Sequence, residues 1–287
     1  MVASTAAARA EARPAKARIR VSPWHAIALI AIALVCVFPF YWMVTTSLKD
    51  QAVALASPPV WLFEPTLDHY RMVLGPKDVG PSLLNSIIVA VSTTALAILL
   101  GTPAAYALAR FEFRGKSDLW FWFITNRMVS PIVLALPIFL LARNLNLIDT
   151  HLVLILLYLT FNLPIVVWIC ADQFRGIPRD LDDAARIDGA SRFTVFWRIA
   201  LPLAAPGVAV SAIFSFIFSW NELLYALVLT RSASRTAPVA ATSFMSGYDL
   251  PWGQIMATGT LIVLPVIVFA LIVSRQLVRG LTMGAVK

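Results

Sequence analysis

The chain has 287 residues, 60% hydrophobic and 13% charged, with a formal net charge of +8. That composition falls outside the ordinary soluble range and inside the polytopic membrane class, and the basic excess reads as a topology signal rather than a nucleic-acid surface. Cys36 and Cys170, both within apolar stretches, indicate neither a disulfide framework nor a metal site.

Residues 1–23 are rich in Ala and Arg. They read as an uncleaved, disordered cytosolic tail, because the apolar stretch that follows is of full span length and offers no clear small-residue cleavage site before Tyr41-Trp42. Windows of about 20 apolar residues, enough to cross roughly 30 Å of hydrocarbon as a helix, occur at 26–45, 83–108, 119–142, 152–171, 204–229 and 255–274. Each must be helical, since backbone polar groups find no water in the bilayer. Six spans place both termini on one side. Of the 23 Lys and Arg residues, 16 lie in the N-tail, the second–third connection, the stretch from Arg175 to Arg198, and the C-tail. Six lie in the other connections, and Arg127 lies inside a span. Positive residues mark the cytoplasmic face, which puts both termini and the 178–202 segment inside.

The external connection 47–82 carries Pro58, Pro59, Pro65, Pro76 and Pro81, with amphipathic pieces at 61–63 and 69–74. A short turn near 144–150 predicts antiparallel packing of the third and fourth spans. The connection 231–253 holds Pro238, Gly247, Tyr248, Pro251 and Trp252. The domain reading is a tail at 1–23, a six-helix transmembrane domain at 24–276 and a cytosolic C-tail at 277–287.

The segment 178–202 cannot be lipid-embedded, because Arg179, Asp180, Asp182, Asp183 and Arg186 crowd its start. Pro178 suits a first helical turn, and the aspartates suit the positive end of the helix dipole. Gly189 suits a left-handed C-cap. Ser191 then caps a second helix through Phe193, Phe196 and Trp197. Two readings stand for this helix–turn–helix: a docking surface for another protein, with Ala184 and Ala185 as a close-approach patch and the aromatics as anchors, or a loop helix resting on the chain's own spans.

Spacing adds a resemblance. Asp183-Ala184-Ala185, Asp188-Gly189-Ala190, Phe196, Ile199 and Leu201-Pro202 resemble the "EAA" coupling motif of ABC importer permeases, with Asp183 where the family usually has Glu. Asn126-Arg127-Met128 with Pro131 and Leu136-Pro137, Asn162-Leu163-Pro164, Trp220-Asn221-Glu222 and the tail Val278 to Lys287 resemble the maltose-type carbohydrate permeases, closest to members that serve sugar alcohols. This resemblance implies an all-α integral membrane protein of the type I ABC importer permease fold. It implies as partners a second permease subunit, a homodimer of ATPase subunits that bind ATP and Mg, an extracytoplasmic solute-binding protein and the bilayer of a bacterial inner membrane. It also implies that Gly280, Leu281, Thr282, Gly284 and Ala285 insert between the ATPase subunits.

Ionisable groups within spans are expensive and read as functional. Arg127 and Glu222 stand out, and Ser211, Ser215, Ser219 and Glu222 share one helical face. That stripe suits either a solute path or close helix packing. Pro131 can break the third span, as transporter helices do near their sites. Asn126, Arg127, Asn162, Asn221 and Glu222 are therefore the expected solute-pathway residues. A self-contained secondary transporter, with Arg127 and Glu222 as its coupling pair, is the competing reading. Gly115-Lys116-Ser117 lacks the first Gly of a phosphate loop, Arg110 standing in its place, so no ATP site is read in this chain. His25, His69 and His151 sit near span ends or in a loop, and no convergent acid, base, nucleophile or metal set reads as an enzyme.

Overall fold

The computed structural model describes residues 23–77, 79–245 and 250–284. The expected tail therefore lies outside the described residues up to position 22, as does Ala285. The side chains of Met245 and of 273–284 are likewise outside, and with them the expected ATPase contacts of Gly280, Leu281, Thr282 and Gly284. The described residues are helical throughout, with no strand: α1 Pro23–Ser47, α2 Gln51–Ala54, α3 Asp68–Leu74, α4 Val79–Arg110, α5 Lys116–Met128, α6 Pro131–Asn144, α7 His151–Arg175, α8 Arg179–Ile187, α9 Arg192–Val195, α10 Leu201–Trp220, α11 Leu224–Leu229, α12 Ala237–Thr242 and α13 Trp252–Gly284. A π-helical turn at Phe196–Ala200 joins α9 to α10.

The chain divides at Trp42 and Met43 into two units. In the first, α1 is apolar on all sides, the pattern of a helix surrounded by lipid. The second is built around α4, α7 and α10. Lipid gives helices no hydrophobic reason to associate, so their contact rests on close approach of small residues. Ala90, Ala97, Ala105 and Ala109 of α4 are buried. A Cβ on Gly101 would come within 2.7 Å of Val166 Cγ1, and one on Gly207 within 2.7 Å of Gln173 Cβ. These two glycines set the approach of α4 and of α10 to α7. Helix α13 packs on α10 through Phe216 and Phe269, stacked with ring centroids 4.0 Å apart, and Trp220 Nε1 donates to the Ile262 carbonyl at 3.2 Å.

Five helical stretches are long and apolar enough to cross a membrane, and the bent pair α5–α6 makes a sixth. The predicted third span is therefore present but broken, with a 96° bend between its halves. Val129 and Ser130 are extended at the break, because Pro131 drives the residue before it out of the α region and then opens α6. The bend also corrects the predicted antiparallel pairing. Helix α5 lies on α7, but α6 rests chiefly on α11.

The fifth span is shifted from its predicted limits. It stops at Trp220 rather than 229, and begins at Arg192 through the π turn. Pro202 has no N–H to continue the α pattern, and the Leu201 N–H reaches back five residues to the Phe196 carbonyl. The expected second helix of the 178–202 segment is thus the first turn of a membrane span. Of the amphipathic pieces in the first long connection, 68–74 is helical and 61–63 is not.

Candidate functional site

Two polar constellations stand out in the second unit. The first is the helix and turn of 178–202. Pro178 precedes α8 as its cap residue, and Asp180 and Asp182 occupy the first turn. At the other end the Ala190 N–H donates to the Ala185 carbonyl at 3.0 Å and the Gly189 N–H to the Arg186 carbonyl at 3.1 Å, with Gly189 at φ +84°. That conformation is open to glycine and strained for most other residues. Ser191 Oγ then accepts the Thr194 N–H at 3.1 Å and starts α9.

The motif residues divide between two faces. Asp183, Ala184, Asp188 and Gly189 are exposed, Ala185 and Ala190 half-buried, and the neighbouring Ile187 and Phe193 are 86% and 72% exposed. Asp183 makes no ion pair or side-chain hydrogen bond among the described residues, so its carboxylate is uncommitted. Phe196 points the other way. It is buried 5.1 Å from the Tyr106 ring and 6.3 Å from Phe174, so it anchors the segment to its own spans rather than to a partner. Ile199 and Leu201 are half-buried beside it, and Pro202 is exposed where it sets the π turn. Both sequence readings thus apply, each to one face.

Sequence reasoning missed what holds α8 in place. Arg110, the last residue of α4, puts Nε 2.9 Å from Asp182 Oδ2, and its Nη2 donates to the Ile177 carbonyl at 3.0 Å. The Arg192 guanidinium sits 5.2 Å above the Phe111 ring. In the same α4–α5 turn the Lys116 hydrogen bond holds the Glu112 carboxyl below its ordinary value.

The second constellation lies at the broken third span. Pro164 deprives α7 of one N–H, leaving carbonyls in the preceding turn without their helical donor. Asn126 Nδ2 donates to the Thr160 carbonyl at 3.0 Å and Arg127 Nη1 to the Phe161 carbonyl at 3.1 Å. The Arg127 guanidinium also lies 5.2 Å over the Phe218 ring. Glu222 accepts from Tyr158 Oη at 2.7 Å and from the backbone N–H groups of Tyr225 and Ala226 at 2.9 and 3.1 Å, which caps α11 and explains why the fifth span ends where it does. Asn126, Arg127, Thr160, Phe218 and Glu222 share the lining of a cavity of about 240 Å³.

Two of the five expected pathway residues are not in that lining. Asn162 is fully buried, its Nδ2 shared between Ser219 Oγ and the Tyr158 carbonyl, both at 2.9 Å. Asn221 bonds back to the Ile217 carbonyl on the exposed end of α10. The serine stripe resolves toward packing: Ser211, Ser215 and Ser219 are buried, with Ser211 Oγ 3.5 Å from Cys170 Sγ of α7.

A third polar feature went unread in the sequence. Asp149, at φ +62° in the α6–α7 turn, accepts the N–H groups of Arg231, Ser232, Ala233 and Ser234 at 2.9–3.2 Å, and the Ser234 hydroxyl at 3.0 Å. Partial burial pushes this carboxyl up, but the four N–H donors outweigh it and hold it well below the usual carboxylate range. Asn85 completes the clasp by donating to the Ala233 and Arg235 carbonyls, and its Oδ1 lies 2.8 Å from His151 Nε2.

A helical membrane bundle with a broken third span, presenting one uncommitted helix–turn at its end, is the architecture of a transport permease, and no cluster of metal-ligating side chains occurs among the described residues. The chain belongs to the family described as the binding-protein-dependent transport system inner membrane component, whose pattern matches residues 97–283. It is thus a permease component of ABC importers rather than an enzyme. It is 40% identical over 271 residues to the trehalose transport system permease protein SugB of Mycobacterium tuberculosis, covering 93% of this chain and 98% of that protein. It is 36% identical over 265 residues to the trehalose/maltose transport system permease protein MalG of Thermococcus litoralis, covering 91% and 95%. In fold it is similar to a chain of the bacterial ABC transporter that imports the acidic polysaccharide alginate, with a TM-score of 0.73, 22% identity and coverage of 88% and 94%.

Proposed function

We propose that this chain pairs with a second permease to form the pathway of an importer for a sugar or sugar alcohol, driven by separate ATPase subunits that dock on the 178–202 segment. The observation that carries the docking is the exposed face of Asp183, Ala184, Ile187, Asp188 and Gly189, which is polar at its rim, apolar at Ile187 and uncovered by the chain's own spans. The Lys and Arg distribution puts that face, and both termini, in the cytosol. Supply by an extracytoplasmic binding protein follows from the family's description. Carbohydrate as cargo is supported by the relatives named for trehalose and maltose. Asn126, Arg127 and Glu222 offer amide, guanidinium and carboxylate groups of the kind that recognise hydroxyls, within one cavity.

In operation, closure of the ATPase pair moves α8. The displacement passes through the segment to the spans, and the pathway changes the side to which it opens. The secondary-transporter reading is weaker, because Arg127 and Glu222 are each committed to backbone partners rather than to one another. Gly189→Asp, which adds a carboxylate to the docking face, is expected to leave ATP hydrolysis in an assembled complex while abolishing solute uptake. Wild-type uptake per ATP in that variant would overturn the reading.

A further inference from the structure

Helix α8 exposes most of its surface, and one of its nine residues, Asp182, is buried. That residue is charged. Its carboxylate points into the protein, its Oδ1 has no hydrogen-bond partner, and Arg110 is its charged partner. The Arg110 side chain is 4% exposed and touches three elements at once: it grows from the end of α4, contacts Asp182 on α8, and donates to Ile177 in the α7–α8 connection. The rest of the segment presses on the same turn of α4, through Phe196 against Tyr106 and Arg192 over Phe111.

A buried ion pair is a poor way to gain stability, because desolvating both charges offsets most of their attraction, and well-packed apolar residues usually do as well. It does fix position, since a displaced charge would be left unpaired in a dry site. Through Gly101 and Val166, α4 is in turn packed without slack against α7.

We infer that Arg110 and Asp182 are positioning residues that lock α8 to the end of α4, so that a push on the docking helix becomes a displacement of the span. The inference rests on the coupling reading above, extending it from the docking face to the link behind that face. Apolar packing alone would hold α8 in place but would let it rock against α4. The ion pair, with its second bond to Ile177, makes the two helices move as one body.

The test uses the assembled importer in proteoliposomes, with solute uptake per ATP hydrolysed as the readout. A defect of folding or assembly lowers uptake and hydrolysis together and leaves their ratio unchanged, whereas a slack link lowers the ratio. Arg110→Met and Asp182→Asn are expected to lower it at least threefold, and Asp182→Glu, which keeps the carboxylate, to stay within twofold of wild type. Gly189→Asp is run alongside. If it uncouples while Arg110→Met and Asp182→Asn keep the wild-type ratio, the lock is refuted and the docking reading stands; if Gly189→Asp also keeps the ratio, the docking reading itself fails.

Should the single variants not assemble, spin labels at Arg114 and Asp180, both exposed, measure the link directly in a chain with Cys36 and Cys170 replaced by Ala. Their separation is expected to stay within roughly 3 Å, less than one helical turn, between the resting and ATP-bound complexes. A larger change would show α8 sliding on α4 and overturn the inference.

Discussion

Gly189→Ala isolates the turn from the docking surface. Gly189 sits at φ +84°, and a Cβ built on it meets no atom within 4 Å, so the methyl group adds no clash. What it adds is backbone strain, about 1–2 kcal/mol for an L-residue in the left-handed region. At a factor of ten per 1.4 kcal/mol, the turn that bonds Ala190 to Ala185 becomes roughly 5- to 30-fold less populated against open alternatives. Asn enters this region far more readily than Ala, so Gly189→Asn restores much of the loss although it is the bulkier change. Uptake per ATP in the reconstituted complex should therefore rank Gly above Asn and Asn above Ala. If Ala matches Gly, or Asn is worse than Ala, the left-handed turn is not what presents α8, and the reasoning from φ fails.

Three further outcomes follow from the packing. Gly101→Ala forces a methyl to within 2.7 Å of Val166 Cγ1 and should destabilise the bundle by about 1–3 kcal/mol; Val166→Ala added to it should recover at least half of the lost thermal stability, and no recovery would place the strain elsewhere. Asn126→Ala leaves the Thr160 carbonyl unanswered, at about 1–3 kcal/mol, and Pro164→Ala, which restores an N–H to α7, should be less damaging in that background than alone; equal damage in both would show that Asn126 does not serve that carbonyl. Asp149→Asn keeps a residue that tolerates φ +62° but removes the charge, so trypsin should cut after Arg231 or Arg235 at least fivefold faster at pH 7, in line with a loss of about 1–3 kcal/mol. Because the native carboxyl is held below its ordinary value, the wild-type clasp should be intact above about pH 4 and fail only as the pH falls from there through the lowered value; a clasp that weakens instead on raising the pH from 5 to 7 would contradict the assignment.

The coupling segment was legible because its signals are local. Pro178, Gly189 and Ser191 each act within a few residues, and α8, the left-handed turn and the α9 cap stand where those residues put them. What the sequence left open is tertiary. Phe196 reads as an anchor for a partner until the fold brings Tyr106 and Phe174 against it, and no local signal pairs Arg110 with a carboxylate 72 positions later. The serine stripe fits packing and pathway equally in sequence, and only burial against α7 decides it. Proline gave the position of the break at Ser130-Pro131 but not its 96° angle, which sends α6 to α11. Glu222 reads as an intramembrane charge, yet its role as the cap of α11 depends on the chain turning at Asn221, a turn hidden inside an apolar window.

The central claim is that this chain opens and closes a pathway driven from outside itself, through α8. Uptake of radiolabelled sugars and polyols into proteoliposomes tests it most directly, with the chain present alone or together with its partner permease, ATPase subunits and binding protein. The account expects uptake that requires the full set and internal ATP, and that stops with Gly189→Asp; uptake by this chain alone under an ion gradient without ATP would contradict it.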